Sequence, residues 1–313
     1  MTSWWQTPID GETPEEYLKT HGEITNDGQM AAVLSEFTGM DISVAAVRQK
    51  RQALGINKPK CGVRFIQSTR PKRNKPLIIH TDNALVITDI HAELQDAEWL
   101  ERVVDFAVAH GIKICVVGGD LVDMNALSSF TPFIGGDGET PTTTDGELGA
   151  ASAIISTLLM VFDEVYILLG NHEERLARKL GNLTIQFIGK LLGADGNRAI
   201  VSEYHWCIIE DANGKQWRIT HPRDASGISV RVAARLADKY RMNVVAAHGH
   251  DWGCVVSPSG YYAAASGMMA DPERIDYTTL VDNVRPFMSQ GAWALVDGEP
   301  VLLHPEWAKP ERL

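Results

Sequence analysis

The sequence predicts an α/β protein: a sheet-rich domain with antiparallel additions, preceded by a small all-α unit. Three observations predict it. Five short apolar runs of β type each end abruptly in polar residues: 84–88 before Asp89 and His91, 112–117 before Gly118-Gly119-Asp120, 165–169 before Gly170-Asn171-His172-Glu173, 216–220 before His221, and 243–247 before His248-Gly249-His250. Helical stripes alternate with those runs, as in α/β folds. Before Arg70 only helical periodicity occurs, and the polar, proline-bracketed stretch Arg70 to Pro76 then marks a boundary. The expected organisation is a helical unit over 1–70, a basic linker over 71–76 and a catalytic domain over 77–313.

In the first unit, Thr13-Pro14-Glu15-Glu16 starts a helix, with proline in the first turn and acids near the positive end of the dipole. A second helix begins near Asn26, where Met30, Val33, Leu34 and Phe37 follow the i, i+3, i+4, i+7 rule. Gly39 can end it in a left-handed conformation. The third runs from Asp41 or Ser43 to Leu54, closed by Gly55 with Pro59 beyond. Val44 and Val47 are expected to face inward, and Arg48, Lys50 and Arg51 outward.

Beyond the linker, Asp96 can cap a helix carrying the stripe Leu100, Val103, Val104 and Ala107, closed by Gly111. Ala233, Leu236, Ala237 and Tyr240 form a second stripe. From Trp206 onward short strands pair as hairpins, with a turn at Asp211 to Gly214. The Gly-, Thr- and Pro-rich stretch from Leu127 to Gly146 lacks periodicity and follows Asp120 closely. It is either a lid or an ordinary surface insertion.

With 44% hydrophobic and 22% charged residues, the 313-residue chain has the composition of a soluble globular protein. Its longest apolar-rich run, near Ala150 to Phe162, is too short to span a bilayer, and the amino terminus lacks the form of a secretion signal. No membrane association is expected. The four cysteines form no C-x-x-C pair, and Cys115 and Cys207 lie in apolar runs, so free thiols in a reducing cytoplasm are expected. The net charge of −11 hides a segregation: residues 48–75 hold ten Lys or Arg and no acid. Such a segment suits a polyanion partner or a solvated basic linker.

Asp89, His91, Asp120, Asn171, His221, His248 and His250 amount to seven candidate metal donors. Asp89 and His91 are two apart at a strand end and are expected to point the same way from extended backbone, as are His248 and His250. One divalent ion rarely needs so many donors, whereas two ions sharing a carboxylate would use them all. Mixed imidazole and carboxylate ligation suits first-row metals, manganese foremost, with iron, nickel or zinc as alternatives. The absence of cysteine argues against a structural zinc site. Arg175, one turn beyond His172, is either a phosphate clamp or a plain surface arginine.

This ordered set resembles the signature of the calcineurin-like metallophosphoesterases, D-x-H, G-D, G-N-H-[DE], H, G-H-x-H, between about Leu85 and His250. The resemblance implies a four-layer α-β-β-α sandwich. It also implies that Asp89, His91 and His250 bind one metal, that Asn171, His221 and His248 bind the other, that Asp120 bridges, and that His172 helps the leaving group depart. Two departures stand out. Ala247 replaces a common glycine, and Thr88 and Ala92 stand where the family's protein Ser/Thr phosphatases carry glycines, which puts phosphoprotein specificity in doubt.

Residues 24–57 resemble a helix-turn-helix of the small type attached to phage and mobile-element nucleases. That resemblance implies a third helix in a DNA major groove, with Arg48, Lys50, Arg51, Lys58 and Lys60 near nucleic acid. The other reading is a three-helix bundle that packs on the catalytic domain or on a protein partner. Together these features point to dinuclear hydrolysis of a phosphodiester, with DNA favoured, by a hydroxide generated between the ions. A phosphomonoesterase is the second expectation, and a DNA-binding regulator with a vestigial metal site the third.

Overall fold

The computed structural model describes residues 3–9, 11–57, 75–124, 127, 143–181, 184–275 and 288–306. The chain divides into two compact units, Met1–Lys72 and Arg73–Leu313.

The first unit contains helices α1 (Pro14–His21), α2 (Asp27–Thr38) and α3 (Val44–Ala53). Each begins at a side-chain cap that accepts a hydrogen bond from an otherwise orphaned N–H: Thr13, Asn26 and Ser43. Thr13 and Glu16 form a reciprocal capping box, and Gly39 ends α2 at φ 69°. The core comprises Trp5, Leu18, Met30, Ala31, Leu34, Ile42 and Val47. Two expected core positions are instead partly open, Val33 at 38% and Val44 at 42% exposure. The buried face of α2 is centred on Met30, Ala31 and Leu34, which turns Val33 aside, and Val44 sits at the first helical position, past the edge of the core.

Arg51 also departs from expectation. It lies one turn beyond Val47 on the buried face of α3 and is 1% exposed. Its Nε donates to Asp27 Oδ1 at 2.9 Å, Nη2 donates to the Thr25 carbonyl at 2.8 Å, and Nη1 donates to the Gly22 carbonyl. Lys50 pairs with Glu15 at 2.6 Å and lies over the Trp5 ring. Arg48 alone keeps an open side chain, 54% exposed, with its Nε 3.4 Å from Asp27. Lys58, Lys60 and positions 71–74 of the expected linker lie outside the described residues.

The second unit carries two six-stranded sheets. One has β2 (Ala84–Ile87), β3 (Ile114–Val117), β4 (Glu164–Ile167) and β5 (Ala199–Val201) in parallel, with β11 (Ala292–Val296) and β12 (Glu299–Leu303) added antiparallel in the order 12-11-2-3-4-5. The other has the order 1-6-7-8-10-9, from β1 (Ile78–His80), β6 (Trp206–Glu210), β7 (Gln216–Thr220), β8 (Asn243–Ala246), β9 (Trp252–Val256) and β10 (Tyr262–Ser266). The β6–β7 hairpin turns at Asp211 to Gly214, where Asp211 Oδ1 accepts from the N–H groups of Asn213 and Lys215.

Alternation along the strands sorts side chains into layers. Val86, Val116, Ile209, Trp217, Ile219, Val245, Trp293 and Leu295 meet between the sheets. Leu85, Ile87, Cys115 and Val117 face the other way, against α4 (Ala97–Ala109) and α5 (Thr144–Val161). Val244, Ala246 and Ala263 face α8 (Arg231–Tyr240). The result is the α-β-β-α sandwich. α5 begins at Thr144 behind the cap Thr143, so the stretch expected to be loop as far as Gly146 is shorter by three residues. Positions 128–142 of that stretch lie outside the described residues. Cys115, Cys207 and Cys254 are free thiols. Among the described residues no helix is long and apolar enough to cross a membrane.

Candidate metal centre

Every β strand that points at the site stops before its functional residue. β2 ends at Ile87, β3 at Val117, β7 at Thr220 and β8 at Ala246. The following residues do not continue in extended form. Asp89 (φ 51°), His91 (47°), Asp120 (51°), His248 (70°) and His250 (53°) all occupy the left-handed region. The expectation of i, i+2 pairs on extended backbone is therefore wrong. Left-handed turns curl each loop back over the strand ends, and non-glycine residues hold that conformation at a cost of about 1–3 kcal/mol each. Surrounding contacts hold them there. Thr88 Oγ1 pairs with Ser266 Oγ at 2.8 Å and donates to the Gly267 carbonyl at 2.9 Å, tying β2 to the opposite sheet. This cross-sheet bond is the local reason for threonine at 88.

Seven expected donors meet in two clusters. Asp89, His91 and His250 present ligand atoms within 4.8 Å of one another, as do Asp120, His221 and His248. In the first, His91 Nε2 lies 3.3 Å from His250 Nε2, and His250 Nε2 lies 3.1 Å from Asp89 Oδ1. In the second, His221 Nε2 lies 3.1 Å from Asp120 Oδ2 and 3.1 Å from Asn171 Oδ1. Ring nitrogens and carboxylate oxygens thus converge from both sheets and from the first residue of α6 (Asn171–Lys179). Asp120 Oδ2 is buried with His221 Nε2 at 3.1 Å and His172 Nε2 at 3.7 Å, and a carboxylate so placed needs positive charge close by. The donor set suits a pair of divalent ions.

Electrostatics keep both cluster carboxylates charged. Burial works against the Asp89 carboxylate, yet the neighbouring His250 and His221 imidazoles hold its pKa down at about 2. Burial likewise opposes the Asp120 charge, and His221 and His172 hold it well below the usual range. His221 loses by burial and gains more from Asp120, ending near 9. Both carboxylates are kept ionised, as ligands must be.

Three carboxylates to which the sequence reading assigned no individual role support the centre. Asp123 Oδ1 lies 3.0 Å from His91 Nδ1 and 3.4 Å from His172 Nδ1, and its carbonyl accepts from His172 Nδ1. The visible signal was an acid inside the apolar run Leu121-Val122-Asp123-Met124. Glu173 is fully buried and accepts from the N–H groups of Gly170, Asp120, Leu121 and Val122. Burial pushes its carboxyl up, against those four donors, which favour the ionised form. Glu147, buried at the start of α5, accepts from the Met124 N–H. Together Glu173 and Glu147 clamp the loop that carries Asp120 and Asp123. Gly170 is required by the close approach: a Cβ there would fall 1.9 Å from Asp120 Oδ1.

His172 is in neither of these clusters but forms a third group with His91 and Asp123, ligand atoms within 4.8 Å of one another. Its backbone N–H donates to Asp120 Oδ1 at 3.0 Å, and its Nε2 is 3.7 Å from Asp120 Oδ2. Since Nδ1 donates to the Asp123 carbonyl, Nε2 is the nitrogen left to act. Arg175 Nη1 donates to the carbonyls of Asp123 (3.3 Å) and Met124 (3.4 Å), so this guanidinium braces the same loop.

A family model described as calcineurin-like phosphoesterase matches residues 83–256, a span that holds all seven donors and His172. Among solved structures, the chain is similar to Yfce, a phosphoesterase from E. coli, at 12% identity and a TM-score of 0.35, covering 71% of this chain and 98% of that one. It is also similar to the Pseudomonas putida nuclease MPE, at 14% identity and 0.30, covering 70% and 87%. A dimetal phosphatase from Danio rerio gives 11% and 0.37, covering 74% and 99%. No curated protein sequence matches.

Proposed function

The chain belongs to the calcineurin-like phosphoesterase family, and from that premise we propose a two-cation phosphodiesterase whose substrate is DNA. The carrying observation is the convergence of Asp89, His91 and His250 in one donor cluster and of Asp120, His221 and His248 in another. In this reading Asp89, His91 and His250 seat one ion, Asn171, His221 and His248 seat the other, and Asp120 serves both. Manganese is the first choice of metal by donor type, with iron, nickel or zinc as alternatives. When bound, two such ions supply positive charge to the phosphate and a hydroxide nucleophile at neutral pH.

The chain's own groups do the rest. Asn171 contributes an oxygen without adding negative charge. His172 offers Nε2 to the departing ester oxygen, while Asp123 orients the ring through Nδ1. Arg175 keeps further guanidinium donors for a phosphate oxygen.

DNA is supported by the acid-free basic run at 48–75 in an otherwise acidic chain. Arg48, its side chain 54% exposed, and the exposed Lys75 are described residues of that run open to phosphates, whereas Arg51 leaves the proposed contact set because it is buried. Thr88 and Ala92, in place of the protein phosphatases' glycines, weigh against a phosphoprotein substrate. The free thiols fit a cytoplasmic setting.

The test is Mn2+-supported hydrolysis of labelled DNA, an aryl phosphodiester and an aryl phosphomonoester by the full chain. Turnover of both diesters is expected, with DNA cleavage falling steeply as salt rises. Turnover of the monoester alone would replace this reading with a phosphomonoesterase.

A further inference from the structure

Beside the metal centre, on the outer face of the β6–β7 hairpin, aromatic rings and cationic side chains alternate. Trp217 and Ile219 point between the sheets, so Arg218 projects outward. Its guanidinium carbon lies 3.7 Å from the Trp206 ring centre and 4.1 Å from that of Tyr240. Tyr204 packs on Trp206 at 5.4 Å between centroids. Arg218 is 8% exposed, its Nε is buried without a hydrogen-bond partner, and no carboxylate pairs with it among the described residues. The two ring faces meet its charge.

The row is continuous with the site. The His221 N–H donates to the His205 carbonyl at 2.7 Å, and His205 is the residue between Tyr204 and Trp206. His205 Nε2 lies 3.2 Å from Glu174 Oε1, the oxygen that also pairs with Arg223, two residues past His221. Glu174 shares a face of α6 with Asn171, one turn away. Arg223 itself is open, its side chain 70% exposed, and Tyr240 is 37% exposed.

We propose that this row, from Arg223 through His205, Tyr204 and Trp206 to Arg218 and Tyr240, is a track for single-stranded nucleic acid leading to the metal centre. The inference rests on the phosphodiesterase reading and narrows its substrate to an unpaired strand. Aromatic rings stack on bases of any sequence, and the open guanidinium of Arg223 can meet a backbone phosphate while Arg218 holds the Trp206 and Tyr240 rings in place. A duplex keeps its bases paired and stacked internally, and so cannot use the rings. Glu174 occupies Arg223 until a phosphate competes for it.

The test is fluorescence anisotropy of labelled oligothymidylate and of a matched duplex with the full chain, as wild type, Tyr240→Ala, Tyr240→Phe and Arg223→Ala. Tyr240→Ala should weaken single-strand binding about tenfold, as loss of one stacked base does. Tyr240→Phe should restore it, and duplex binding should change by less than about twofold. Arg223→Ala should weaken single-strand binding and lower its salt dependence by about one phosphate contact. Equal weakening for strand and duplex, or no weakening in either alanine variant, would overturn the track. Aryl phosphodiester hydrolysis by the wild type is measured in parallel, and its absence would remove the phosphodiesterase reading, whatever the binding data show.

Discussion

Both units of this protein bury charge, and they do so to different ends. In the helical unit, Arg51 and Asp27 form a buried pair in which each guanidinium nitrogen has an oxygen to meet. In the catalytic unit, Asp89, His91, Asp120, His221 and His250 are buried as deeply. Their donor atoms instead face one another at 3.1–3.3 Å within the two clusters. A satisfied buried charge specifies a fold; an unsatisfied cluster asks for a ligand. The backbone repeats the contrast, since five of the donors are non-glycine residues at positive φ and the helical unit turns on glycine at Gly39 and Gly55.

Breaking the satisfied pair should have the largest effect. Arg51→Ala takes from Asp27 its buried partner and leaves the exposed Arg48 beside it at 3.4 Å, and should cost about 3–5 kcal/mol in the helical unit. Denaturant unfolding with a probe in that unit measures it. Aryl phosphodiester turnover by the same variant should persist, and loss of that turnover would contradict a purely structural role.

In the unsatisfied cluster, the opposite signature is expected. Asp120→Asn keeps the acceptor for the His172 N–H and removes the charge. Turnover should fall by at least about 10²–10³-fold, as for removal of a principal transition-state stabiliser, with the melting temperature unchanged or raised. Substantial turnover at full metal content would sink the bridging role.

Asp123→Asn acts one step removed. It should lower kcat by about 10–100-fold, the usual range for a group that orients a ligand, and leave KM nearly constant. A change confined to KM would mean that Asp123 contacts substrate instead.

The smallest effect concerns the surface of the helical unit. Hydrogen bonds from Lys19 and Lys50 hold Glu15 down from 4.5 to about 2. A depressed carboxylate stabilises the fold above its unfolded pKa, and that contribution disappears as pH falls from 4.5 toward 2. Glu15→Gln should flatten the acid limb of the unfolding curve in that window, most visibly at low salt. An unchanged limb would show the pairs to be inert.

Much of this was readable from the chain. Asn26, Ser43, Thr13 and Asp96 announced helix starts because capping is a local exchange between a side chain and its own backbone. The β2, β3, β7 and β8 segments were visible because period and β-branching are local too. The donors Asp89, His91, Asp120, Asn171, His221, His248 and His250 stood out because each follows such a strand, in the order of a known signature. Asp123 and Glu147 did not, and Glu173 showed only as the end of its motif, since their partners are His91, His172 and N–H groups of residues 120–124, which only folding brings near. The inward turn of Arg51 was missed for a related reason: a charged residue at i+4 from Val47 looks exposed until Asp27 and the carbonyls of Gly22 and Thr25 are seen around it.

By itself, then, the sequence determined the alternation of strands and helices, the residue types at the strand ends, and the chemistry those types allow. Only the tertiary structure decided which donors share a cluster, how left-handed turns at Asp89, His91, Asp120, His248 and His250 aim them, and that Arg218 lies between two rings beside the site. The division has a physical cause. Periodicity, capping and ligand type are properties of neighbours along the chain. Convergence, burial and strain depend on groups as far apart as His91 and His250, and their energies exist only once the two sheets have packed.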